Sequence, residues 1–168
     1  ETYFICIDKA GNATTSTTIN TNLSVSQYTF AWFFNGSPIA NTADFYVATE
    51  PGIYTVEATN ALTGCVTRTI IADVQAVLPA AATIQVTNDF ADAQQIVVTV
   101  MGGLGSYEYQ LNGGAYQTSN IFDIYEGGEY TVHVKDNLGC NEFTLTVTAL
   151  NYPKFFTPNN DGYHDFWN

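Results

Sequence analysis

The chain has 168 residues, of which 46% are hydrophobic, 14% aromatic and only 12% charged, which is enough for one large or two small domains. Its four basic residues (Lys9, Arg68, Lys135, Lys154) stand against sixteen acidic ones, giving a formal net charge of −12. That balance repels phosphate backbones and argues against nucleic-acid binding. No run approaches the ~20 apolar residues of a membrane-spanning helix.

Long helix-favouring side chains are scarce, and β-branched and aromatic residues replace them, so an all-β chain is expected. At the amino end, Glu1-Thr2-Tyr3-Phe4-Ile5-Cys6-Ile7 reads as a strand and lacks the basic start of a signal peptide. A signal already removed and a longer parent chain both fit that reading. Next, Tyr28-x-Phe30-x-Trp32 sets every second ring on one strand face and runs into Asn35-Gly36. Asn-Gly supplies the positive φ angles of a tight hairpin. Pro51-Gly52-Ile53-Tyr54-Thr55-Val56 follows, leading to Asn60 and Gly64-Cys65.

The same order then recurs. Tyr107-x-Tyr109-x-Leu111 runs into Asn112-Gly113, and Gly128-Glu129-Tyr130-Thr131-Val132 leads to Asn137 and Gly139-Cys140. Two copies of one module are therefore expected, at residues 1–77 and 78–150, with residues 151–168 as a separate ending. The junction is read at Leu78-Pro79-Ala80-Ala81-Ala82, since proline cannot occupy a central strand and the small residues look like a linker. The Gly-x-Tyr-x-Val cores resemble the tyrosine corner of immunoglobulin-like sandwiches, and Trp32 resembles their core tryptophan. Val56 and Val132 stand where antibody domains carry a cysteine, so the resemblance is to the wider superfamily. It implies two tandem immunoglobulin-like antiparallel β-sandwich modules.

Three cysteines leave at least one over. A Cys6–Cys65 bridge inside the first module is expected, worth about 4 kcal/mol through the loop entropy removed from the unfolded chain. Cys140 would then be free or paired outside this chain. The alternative is three buried thiols, which cysteine tolerates well.

Chemistry-bearing motifs are few. Met101-Gly102-Gly103-Leu104-Gly105-Ser106 lacks the Lys-Ser/Thr of a phosphate cradle and precedes a strand, so it reads as a loop. His133 falls on the strand face opposite Tyr130, Val132 and Val134, towards solvent, and neither it nor His164 belongs to a zinc or nucleophile pattern. No catalytic residues and no cofactor are expected.

The ending is Tyr152-Pro153-Lys154-Phe155-Phe156-Thr157-Pro158-Asn159-Asn160-Asp161-Gly162-Tyr163-His164-Asp165-Phe166-Trp167-Asn168. Asn159, Asp161 and Asp165 could offer oxygens to calcium. Without a terminal bidentate Glu, an Asx-type turn is the favoured reading.

This ending resembles the start of the gliding-motility-associated C-terminal domain, the type B sorting domain of the type IX secretion system in Bacteroidota. The match runs from Tyr152 through Asn159 and resumes at Asp161, Gly162, Tyr163, Asp165 and Trp167, while Asn160 replaces a common Gly. Members continue well beyond the Trp, so the resemblance implies only the beginning of a sorting domain in residues 151–168. The resemblance implies export through the periplasm and across the outer membrane to the cell surface. The partners it implies are the type IX translocon and its associated membrane proteins. Recognition would fall on Pro153, Phe155, Phe156, Thr157, Pro158, Asn159, Asp161, Gly162, Tyr163, Asp165 and Trp167. The upstream modules would be the stalk of an adhesin or gliding-associated surface protein. The alternative is a ligand-binding sandwich, with a surface glycan as ligand and Trp32, Phe33 and Phe34 as candidates. Of these, alternation leaves only Phe33 outward.

Overall fold

The computed structural model describes residues 1–91 and 93–151. Within them the chain forms β-strands and no helix, and it divides into two compact units. The first is Glu1–Ala80 with Gly102–Leu104; the second is Ala81–Met101 with Gly105 onward.

In the first unit the strands are β1 (Thr2–Cys6), β2 (Thr17–Asn20), β3 (Tyr28–Phe34), β4 (Ser37–Ile39), β5 (Phe45–Ala48), β6 (Gly52–Asn60) and β7 (Val66–Val77). A five-stranded sheet in the order β1-β7-β6-β3-β4 faces the pair β2-β5. Phe30, Trp32, Tyr54, Val56, Ala58, Ala72 and Val74 point inward from the large sheet to meet Ile19 and Ala48 of the small one. Period-two alternation of the strand puts those side chains on one face. Trp32 is the largest of them and is 1% exposed. Its indole Nε1 still donates to the carbonyl of Ala43 at 2.9 Å, so burying the ring leaves no polar atom unpaired.

The second unit repeats the plan with β8 (Ala80–Thr87), β9 (Gln94–Gly102), β10 (Tyr107–Leu111), β11 (Tyr116–Gln117), β12 (Ile121–Ile124), β13 (Gly128–Asp136) and β14 (Glu142–Ala149). Here the sheets are β11-β10-β13-β14 and β12-β9-β8. Ile96, Val98, Phe122 and Ile124 from one meet Tyr109, Val132 and Val134 from the other. The three alanines read as linker are already strand at Ala80, because Ala82, Ile84 and Val86 continue an inward alternation against this core. Only Leu78 and Pro79 separate β7 from β8.

Both Asn-Gly pairs form the expected turns. Asn35 and Gly36 have φ of 47° and 81°, and Asn112 and Gly113 have 46° and 74°. Positive φ at both central residues is what a hairpin needs to match strand twist. The Gly-rich stretch Met101–Ser106 contains the end of β9 and the loop into β10, as its composition predicts.

The cysteine pairing differs from the expectation. Cys6 and Cys140 are disulfide-bonded, and Cys65 is an exposed free thiol. The reason lies in the parallel pairing of β1 with β7, which sets Cys6 opposite Val77 at the far end of that strand. Cys65 stands just before Val66, at the near end. The 12 residues between them span about 35 Å, whereas bridged Cα atoms lie within about 7 Å. A Cys6–Cys65 bond cannot form in this fold.

Candidate interaction surfaces

Two corner tyrosines define the frame on which any surface is carried. Tyr54 donates its hydroxyl to the carbonyl of Glu50 at 3.0 Å, and Tyr130 donates to the carbonyl of Glu126 at 2.8 Å. Each bond reaches four residues upstream and ties the loop to the start of the late strand. Tyr54 is buried in an aromatic stack, 4.8 Å from Phe34 and 5.4 Å from Tyr46 between ring centroids. Burial raises its phenol above the ordinary tyrosine range, as it does for Tyr107 and Tyr109 in the second unit.

A second shared device holds each hairpin. Asn35 Oδ1 accepts the amide of Ile53 at 2.9 Å, and Asn112 Oδ1 accepts the amide of Thr131 at 2.8 Å. The two are offset relative to the corner: Ile53 precedes Tyr54, while Thr131 follows Tyr130. Register explains this. Tyr28 lies opposite Asn60 and Tyr107 opposite Asp136, so Trp32 corresponds to Leu111, and β3 runs two residues further before it turns.

The outward faces of the two large sheets differ. In the second unit the face is polar. Lys135 stands between Glu108 and Glu142 in the register, bonds Glu108 Oε2 at 3.2 Å and lies 4.0 Å over the ring of Tyr116. His133 faces outward as expected, with Nδ1 3.1 Å from the hydroxyl of Thr144. In the first unit, Phe33 and Ile71 lie on either side of Thr55, with Ile53 two residues along β6. Alternation in the sequence places Phe33 outward, but only the strand register reveals that Ile53 and Ile71 join it.

Of the aromatic residues considered for a glycan, Trp32 is buried and Phe34 packs against the core, as alternation predicts. Phe33 alone is outward, and it is half-buried. The residues assigned to export recognition, Pro153 to Trp167, and the calcium candidates Asn159, Asp161 and Asp165 lie outside the described residues. Among the described residues, no group of three or more His, Cys, Asp or Glu side chains could hold a metal ion. No helix among them is long and apolar enough to cross a membrane.

Comparison with solved structures settles the fold class. The CD2-binding domain of CD58 superposes with a TM-score of 0.50 at 10% identity, over 92% of this chain and all of that one. Both modules are immunoglobulin-like β-sandwiches. Bovine butyrophilin is similar at a TM-score of 0.47 and 10% identity, over 88% of this chain and 94% of that one. Sidekick-1 immunoglobulin domains 1–4 match at 0.42 and 14%, over 88% of this chain and 46% of that one. At such identities the likeness concerns fold alone. No protein-family profile and no curated protein sequence matches the chain.

Proposed function

We propose that this chain is the stalk and export-signal region of a type IX secretion substrate, an adhesin or gliding-associated protein of the cell surface. The observation that carries the reading is the sequence run Tyr152 to Trp167, with its Phe155-Phe156 pair and Asn159-Asn160-Asp161-Gly162 cluster, following two sandwich modules along the chain. Immunoglobulin-like modules typically serve adhesion or ligand binding. An oxidised Cys6 and Cys140 suit a compartment outside the reducing cytosol. The net charge of −12 suits solubility there. On this reading the modules are spacers, and the aromatic residues of the ending serve recognition by the outer-membrane export machinery.

The test is export of the full-length protein from a host with a working type IX system. Replacing Phe155, Phe156 and Trp167 by Ala should leave the protein in the periplasm and off the cell surface. Unimpaired surface delivery would overturn the export role. Limited proteolysis of the retained variant separates lost recognition, in which the folded fragments match the parent, from a folding defect.

A further inference from the structure

The two modules supply an internal control for one surface. Their late strands share a register, so outward positions can be compared one by one. Thr55 of β6 corresponds to Thr131 of β13, and the residues around each occupy the same places on equivalent sheets. Where the first module has Ile53 and Ile71, the second has Glu129 and Thr146. Where the first has Phe33 opposite Thr55, the second has the turn residue Asn112 bonded to Thr131. Ile71 is 58% exposed and Ile53 42%, and the exposed Pro38 lies opposite Phe33 at the same end. The second module folds with polar residues at these places, so the sandwich itself does not require apolar ones. An outward apolar cluster of this kind marks an interaction surface.

The charges around the cluster select its occupant. Glu57 lies outward on one side of Thr55, and Asp73, opposite Ile53, lies on the other. Gln75 Nε2 donates to Asp73 Oδ2 at 2.9 Å and holds that carboxylate at the edge of the cluster. Among the described side chains, no Lys or Arg stands on this face. An anionic membrane surface is disfavoured by these carboxylates and by the net charge of −12, and a second copy by the same charge on both sides. A sugar would need stacking rings and hydrogen-bonding partners, whereas Phe33 has aliphatic neighbours, and Phe4, the other ring on this face, lies three strands away beside Gln75. We propose that the outer face of the first module's five-stranded sheet docks a protein surface with an apolar centre and a cationic rim. Phe33, Ile53 and Ile71 are its anchors, and Glu57 and Asp73 orient the partner.

The inference does not depend on the export reading, and its test uses the isolated full chain. The probe is a short fluorescein-labelled peptide of alternating leucine and lysine, with serine-lysine and leucine-glutamate peptides as controls. Fluorescence anisotropy should show saturable binding of the leucine-lysine peptide, and binding of each control weaker by roughly ten-fold or more. The variant Ile53→Glu/Ile71→Thr installs the second module's own residues. It adds negative charge, so attraction by charge alone would strengthen its binding to lysine, yet the proposal expects a loss of roughly ten-fold. The single change Ile71→Thr, expected to give a smaller loss in the same direction, serves should the double variant fold poorly. Equal binding of the leucine-lysine and serine-lysine peptides, or unweakened binding by folded variants, would overturn the proposal. Sedimentation showing a dimer that Ile71→Thr dissolves would overturn it too, since the face would then serve a second copy.

Discussion

The two modules agree from their third strand onward and part company at their first. In the first, β1 joins the large sheet by lying parallel to β7; in the second, β8 joins the small sheet beside β9. The connections that follow also differ in length. Residues 88–93 give β8 a short link to β9, which keeps the two strands neighbours. Residues 7–16 give β1 a longer link to β2, enough to cross the ~10 Å between packed sheets. Part of that link is its own small turn, in which Asp8 Oδ1 accepts the amides of Ala10 and Asn12. Both first strands present an apolar alternation to the core, Tyr3 and Ile5 in one and Ile84 and Val86 in the other. Either sheet satisfies that pattern, so the apolar alternation of the first strand does not by itself fix the sheet it joins.

The largest expected contrast lies at the matched pair Trp32 and Leu111. Trp32→Ala should cost the first module about 3–5 kcal/mol, because the surrounding aromatic residues cannot close the cavity. Leu111 is only partly buried, and Leu111→Ala should cost about 1–2 kcal/mol. Urea unfolding monitored by circular dichroism would measure both. Equal losses would mean that Leu111 is as fully packed in its core as Trp32 is.

A smaller contrast is expected at the corners. Tyr54→Phe removes a bond made by a buried tyrosine and should cost about 1–1.5 kcal/mol. The bond of Tyr130 is exposed, so water can take over the carbonyl of Glu126, and Tyr130→Phe should cost about 0.5 kcal/mol. Denaturation midpoints that shifted equally would show the two corners to be equally shielded.

In alkali the modules should instead behave alike. Tyr54 in the first and Tyr107 and Tyr109 in the second have phenols raised by burial. A raised folded value means that the neutral phenol is the form the fold favours. The stability it contributes is complete below the ordinary phenol range near 10 and is lost as pH rises through the raised values. Absorbance at 295 nm should therefore resolve a late group among the eleven tyrosines, ionising together with loss of the β-sheet signal. A single early titration with the fold intact would contradict the burial of all three.

Much of this was legible in the chain. Period-two aromatic patterns, Asn-Gly pairs and repeated Gly-x-Tyr-Thr-Val runs act over a few residues, so the sequence alone identifies the β class, both hairpins, the two corners and the burial of Trp32. The chemistry assigned to the ending also rests on sequence, with Pro153 to Trp167 beyond the described residues. What local pattern cannot carry is the placement of strands distant along the chain. Cys6 and Cys65 are the expected pair because both lie in the first module and the second has no counterpart of Cys6. Yet Cys6 lies opposite Val77, at the far end of the strand that begins beside Cys65, and it is Cys6 and Cys140 that are oxidised. Ile53 and Ile71 fall 18 positions apart in the sequence, which says nothing of their proximity until β6 and β7 pair and set Ile71 opposite Thr55. Alternation along one strand decides which side of it is buried, whereas register between strands decides which residues share a surface, and that is set only when the sheet closes on its core.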